Sequence, residues 1–193
     1  MKKLLCLSIT LILLLSFSAC GTKPGNSVPT NTPTPTETAE PTETPGSDQD
    51  SDKESILDGS LESILDKIYE TADLSEGFRD FTENGLQTTV ITEERRAYYL
   101  GSEDIEFKEA LASEPVMMPS AYELTLVRVN EGADIEKIKE EIRENVNPQK
   151  WICVGVDPEN VIVDSIGNVI IIIMSDNEGK ALHEAFLALE GQN

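Results

Sequence analysis

Leu57, Leu61, Ile64, Leu65, Ile68 and Ala72 recur at spacings of three and four. That period places them on one face and predicts an amphipathic helix over residues 55–72. Asp58, Glu62, Asp66 and Glu70 form a four-spaced acidic row on the opposite face. Like charges at this spacing each cost about 0.2–0.5 kcal/mol, which a solvated face tolerates.

Beyond this helix the period changes. Residues 73–87, with Gly77 and Gly85 as breakers, read as a loop. Residues 88–92 and 96–100 are short β-prone runs either side of Glu93-Glu94-Arg95, which predicts a small hairpin. Residues 101–114 are acidic, and Ile105, Ala110 and Leu111 fit a short helix. Pro115 and Pro119 bracket Val116-Met117-Met118, and residues 120–129 read as a strand. Asp134 is positioned to cap a helix that carries Ile135, Ile138, Ile142 and Val146 on one face and ends at Asn147-Pro148. Residues 150–156 read as a second buried strand and 157–160 as a turn. Gly167-Asn168 between the runs 161–165 and 169–175 is a two-residue hairpin signal. Asp176 is placed to cap a last helix burying Ala181, Leu182, Ala185, Phe186 and Leu189.

This order predicts an α+β domain over residues 54–193, with a mostly antiparallel sheet and helices packed on one face. The strands flanking the central helix are expected to make one parallel contact, through a right-handed crossover.

The first 53 residues follow a different logic. Met1-Lys2-Lys3 precedes an apolar run over residues 4–18. A final membrane span needs ~20 apolar residues, so this shorter run reads as the core of an export signal. The stretch Leu15-Ser16-Phe17-Ser18-Ala19-Cys20-Gly21 looks like the processing site of a bacterial lipoprotein, with cleavage after Ala19 and Cys20 as the lipidated residue. In such proteins the thiol carries a diacylglyceryl group. Two acyl chains anchor stably because each buried methylene contributes about 0.8 kcal/mol. Phe17 departs from the aliphatic residue usual three positions before the cysteine. Residues 21–53 include Thr32-Pro33-Thr34-Pro35-Thr36-Glu37 and Glu40-Pro41-Thr42-Glu43-Thr44-Pro45. With no apolar face to bury, this Thr/Pro/acidic stretch is expected to be a disordered linker reaching on the order of 100 Å when extended. The expected layout is a signal over 1–19, the lipidated cysteine and linker over 20–53, and one folded domain.

Charge and cysteine content then narrow the function. The net charge is −21. Removing Lys2 and Lys3 with the signal leaves 13 basic and 36 acidic residues, a net −23. That surface repels nucleic-acid phosphates and anionic head groups, so nucleic-acid binding is excluded and the acyl chains are left as the anchor. Of the three cysteines, Cys6 lies in the signal and Cys20 is the modification site. Cys153 therefore has no internal disulfide partner, and within Trp151-Ile152-Cys153-Val154 it reads as a small buried hydrophobe. Asp48-Gln49-Asp50-Ser51-Asp52 fails as a calcium loop, because Lys53 and Gly59 stand where glycine and glutamate are required.

Candidate chemistry is sparse. His183 is the chain's one histidine, and a Cys153–His183 dyad would require a thiol in a buried strand, which is usually inert. Glu93-Glu94, Glu103-Asp104 and Glu140-Glu141 are adjacent carboxylates of the kind chance supplies in so acidic a chain. Trp151 reads as core. Met117-Met118, with Tyr98, Tyr99 and Tyr122, could form an adaptable apolar contact patch or plug the end of the sheet.

The blocks Met117-Met118-Pro119, Asn147-Pro148-Gln149-Lys150-Trp151-Ile152-Cys153-Val154 and Gly167-Asn168-Val169-Ile170 resemble a family of bacterial lipoproteins known as domain of unknown function 4358. The resemblance spans about residues 55–190. It implies the signal, cysteine, linker and domain layout of a mostly clostridial, Gram-positive set, and it transfers no activity or catalytic residue.

The expected protein is a lipid-anchored module on the extracytoplasmic face of the cell membrane. It is expected to be non-enzymatic, to use no cofactor, and to bind an envelope protein or wall ligand. The alternative is an envelope hydrolase working through carboxylates, with a divalent cation. A pocket holding two carboxylates with raised pKa, or a Cys153–His183 contact, would favour that alternative.

Overall fold

The computed structural model describes residues 55–191. The expected signal and linker, and the expected lipidation site Cys20, lie outside the described residues. Among the described residues no helix is long and apolar enough to cross a membrane.

A turn of 3-10 helix at Ile56–Asp58 precedes helix α1, Leu61–Thr71. Ser60 caps α1 by accepting from the Ser63 amide, so the predicted helix begins in two pieces. Leu61, Ile64, Leu65 and Ile68 are buried, each contributing roughly 1.5–3 kcal/mol. Asp58, Glu62, Asp66 and Glu70 are solvent-exposed. The expected loop at 73–87 instead contains helix α2, Glu76–Asn84. Ser75 caps it, and Gly77 sits in its first turn without breaking it.

Strand β1, Leu86–Val90, falls near its predicted place. Its expected hairpin partner at 96–100 is a helix instead, α3, Arg96–Leu100. Gly101, with φ +82°, provides the left-handed C-cap that ends α3. Buried Arg96 holds the following loop by donating to the carbonyls of Glu103 and Ile105. The segment that fitted a short helix carries strand β2, Glu109–Pro115, the true partner of β1. Strand β3, Glu123–Arg128, and helix α4, Ile135–Asn145, with Asp134 as N-cap, follow as expected.

Residues 150–156 are not a strand. Trp151 and Val156 are buried, but Ile152 is 73% exposed and Cys153 is exposed at φ +64°. A positive φ at a non-glycine residue interrupts the extended ladder. Strands β4, Val161–Ile166, and β5, Val169–Met174, form the Gly167-Asn168 hairpin. Helix α5, Gly179–Leu187, closes the fold. Asp176 does not cap it, because its Oδ1 accepts from the Asp157 amide and Asn160 Nδ2.

The sheet order is β1-β2-β3-β5-β4, and every neighbouring pair is antiparallel. The expected parallel contact is absent. β3 and β4 do run the same way, but β5 lies between them, giving a split crossover through α4. The α+β class stands. Helices cover both faces rather than one, which explains why every residue of β3 and β5 is buried. On one face α1, α5 and the aromatics of α2 pack against Leu124, Leu126, Ile171 and Ile173. On the other, α3 and α4 pack against Ala112, Val127, Ile170 and Ile172. Arg128 ties the start of the domain to the sheet, donating to the carbonyls of Leu57 and Gly59 and to Glu109 at 2.6 Å.

Candidate functional site

Ser113, Glu123, Ser175 and Glu178, four of the buried polar residues, lie at one end of the sheet, where β2 ends, β3 begins and β5 ends. On the α3/α4 face, β3 alternates Glu123, Thr125 and Val127 inward. Glu123 precedes Leu124, which pairs with Ser113, so the antiparallel register sets Glu123 beside Glu114 on β2. Lys150 Nζ reaches Glu123 Oε2 at 2.6 Å, and the two side chains are 4% and 1% exposed. Glu123 Oε1 accepts from Thr125 Oγ1 at 3.0 Å. No donor meets Oε2 at a hydrogen-bonding angle, so the ammonium compensates it by charge.

The Lys150 ammonium also lies 4.4 Å from the Tyr98 ring centroid, 5.1 Å from Tyr99 and 5.6 Å from Trp151. Burial pushes the Glu123 carboxyl up, partly offset by Lys150. Burial likewise pulls Lys150 down, and Glu123 opposes the shift. Glu114 accepts from Thr89 at 2.7 Å and Tyr99 at 3.1 Å. Desolvation first, then Glu114, raises Tyr99 far above its ordinary range.

On the opposite face lies an open cleft of about 710 Å³. Its walls include Phe78 and Phe81 of α2, Tyr122 before β3, and Asp176 and Glu178 after β5. Ser75 joins two walls: its Oγ donates to Glu178 Oε1 at 2.5 Å, and its amide approaches Oε2 at 3.5 Å. Tyr122 and Tyr69 share a hydroxyl hydrogen bond of 2.8 Å, and Tyr69 donates to Ser113 at 2.8 Å. Burial pushes Tyr69 up to about 12. Asp176 is held below its usual range by the side chain of Asn160 and the Asp157 amide.

Between these two features runs the β2–β3 connection. Val116, Met117 and Met118 are 55%, 77% and 52% exposed, so the methionines do not plug the sheet. Trp151 is buried, as expected. Cys153 is exposed rather than buried, because the left-handed backbone turns it out of the apolar run. His183 pairs with Asp164 at 2.8 Å and not with Cys153. Lys139 reaches the other Asp164 oxygen at 3.5 Å. Of the adjacent carboxylates, Glu141 accepts from Ser102 and Glu93 meets Arg96 at 3.4 Å, both in structural roles. Among the described residues no group of three or more His, Cys, Asp or Glu side chains is placed to hold a metal ion.

Sequence reasoning missed both Glu123 with Lys150 and the cleft. The available signal was Glu123 itself, a charge at an inward position of a strand otherwise read as apolar. The cleft had no such signal, since its walls come from three distant segments. No family model, no curated protein and no solved structure matches this chain.

Proposed function

We propose that this chain is a lipid-anchored binding module on the extracytoplasmic face of the cell membrane, held through a diacylglyceryl group on Cys20. The observation that carries the binding role is the exposed Val116-Met117-Met118 loop at the polar end of the sheet. An unbranched, polarisable side chain adapts to varied partner surfaces, and exposed apolar patches mark contact sites. The Cys20 motif and the linker compositionally suited to a spacer support the anchored placement.

The hydrolase alternative draws less support. Glu123 is the carboxyl that burial drives upward, and it is sealed beneath Lys150. In the open cleft, Asp176 is shifted the other way. His183 holds Asp164 rather than activating a nucleophile.

Cell fractionation of the full chain and of Cys20→Ala, with metabolic labelling by a fatty-acid analogue, tests the anchor. The wild type is expected in the membrane fraction and labelled, and the variant in neither state. Membrane retention of an unlabelled Cys20→Ala chain would overturn the assignment.

A further inference from the structure

We infer that strand β1 is the interface through which two copies of this chain pair edge to edge into one continuous sheet. The inference goes beyond the contact role given to Met117 and Met118 and requires neither that loop nor the anchor. β1 ends the sheet on one side, and its register shows which backbone groups are left over. The Ile91 amide donates to the Ala110 carbonyl and the Val116 amide to the Gly85 carbonyl, both at 2.9 Å. Antiparallel partners exchange hydrogen bonds at every second pair. Gln87 and Thr89 therefore commit their backbone groups to β2, while Leu86, Thr88 and Val90 point theirs outward. Among the described residues no hydrogen bond reaches those outward groups.

The opposite edge of the same sheet is closed. The Gly167-Asn168 hairpin sets Val161, Val163 and Ser165 on the outer side of β4. The Val161 amide donates to the Pro158 carbonyl, and the Val163 carbonyl accepts from Arg143 Nη2 at 2.7 Å. The Ser165 amide donates to Asp164 Oδ1 at 2.8 Å. These bonds occupy places that a further strand would need. β1 has no such cover. Leu86-Gln87-Thr88-Thr89-Val90 holds no charge and no proline, the usual means of blunting an edge, and Val90 is 66% exposed.

The strand also complements itself. Two β1 strands laid antiparallel about Thr88 set Thr88 opposite Thr88 and Leu86 opposite Val90 of the second copy. All of these positions face outward, so each pair can exchange two backbone hydrogen bonds. The side chains match as well. Exposed Val90 is covered by Leu86, threonine meets threonine, and on the other face Gln87 meets Thr89. Each copy's β1 is then used up and β4 is already blocked, so the pairing closes as a dimer rather than growing into a fibre.

The test uses the full chain, purified in a nonionic detergent, with Cys153→Ser to remove the exposed thiol of the domain. In a hydrogen-bonded pair the opposed Cα atoms lie about 5.5 Å apart, within disulfide reach. Thr88→Cys is therefore expected to give a disulfide-linked dimer on mild oxidation. Val90→Cys faces Leu86 and not itself, and Ser165→Cys lies on the closed edge, so neither should exceed the Cys153→Ser parent. Sedimentation equilibrium in the same detergent, without added cysteines, reads association directly. Thr88→Pro removes an outward N–H that the β1–β2 ladder does not use, and Thr88→Lys sets like charges opposite one another. Each should weaken the dimer at least about tenfold, with thermal melting confirming that both variants are folded. Association should tighten as salt is raised, because each copy carries a net charge of −21. A monomeric wild type, equal crosslinking from positions 88, 90 and 165, or a dimer unchanged by both Thr88→Pro and Thr88→Lys would overturn the inference.

Discussion

Lys150 Nζ lies 2.6 Å from Oε2 of Glu123, with both side chains almost wholly removed from water. An ion pair so placed gains little over an apolar replacement, because desolving two charges offsets their attraction. Breaking it from one side is different, since the survivor is left buried without compensation. Lys150→Met should therefore lower stability by roughly 3–5 kcal/mol. The double variant Glu123→Leu/Lys150→Met should recover most of that loss. Denaturant unfolding of the single and double variants measures both, and simple additivity would contradict the coupling.

The same pair sets a pH dependence. Burial raises the folded pKa of Glu123 above the ordinary 4.5, so the folded state binds its proton more tightly than the unfolded chain does. Its contribution is full below the unfolded value and is lost as pH rises through the raised folded value. Relative to Glu123→Gln/Lys150→Met, the wild type should lose stability as pH climbs above 4.5.

Asp164 has the opposite sign. Desolvation pushes it up, but the His183 hydrogen bond, the Ser165 amide and Lys139 together hold it below 3.8. Its contribution is present above that value and is lost as pH falls through the depressed one, so Asp164→Asn should flatten the acid limb below pH 3.8. Thermal melting across pH reads both effects.

Gly101 and Gly167 both have positive φ, yet their substitutions should differ. A Cβ on Gly101 would lie 2.4 Å from the Asn145 carbonyl carbon and 2.5 Å from the Val146 amide nitrogen. Gly101→Ala adds that collision to left-handed strain and should cost at least about 2 kcal/mol. Gly167 has open space around it, so Gly167→Ala should cost only about 1–2 kcal/mol. Chemical denaturation of the two variants gives the ranking, and equal losses would remove the packing argument.

These features show what the sequence could and could not disclose. Helices α1, α4 and α5 and the β4–β5 hairpin were legible because a continuous period or a Gly-Asn turn marks them locally. Segments 96–100 and 109–115 were exchanged, helix for strand, because five to seven mixed residues carry too short a pattern. Gly101 as a C-cap and the ladder of β2 with β3 decide them, and the second of these is a long-range fact. Residues 150–156 look like a strand because Trp151, Val154 and Val156 turn toward the core, yet Lys150 is drawn to Glu123 and Cys153 is left-handed. Helices on both faces were signalled by the unbroken apolar run of β5, which a sheet with one solvated face would not need. Glu123 and Lys150 lie 27 positions apart in the sequence and meet only once the sheet end is assembled.

Met117 and Met118 bury little, so Met117→Ser/Met118→Ser should change stability by no more than about 0.5 kcal/mol. A thermal melt matching the wild type is the expected result. A large loss would show that the loop supports the fold rather than a partner.

The central claim, that this loop is a contact surface outside the membrane, is tested by placing a photo-crosslinking amino acid at Met117 of the full chain in intact cells. Lys180, which is exposed on α5, serves as the control position. A discrete adduct formed from position 117, absent from position 180 and lost when Cys20→Ala releases the chain from the membrane, is the predicted result. No adduct at 117, or the same adducts from both positions, would contradict it.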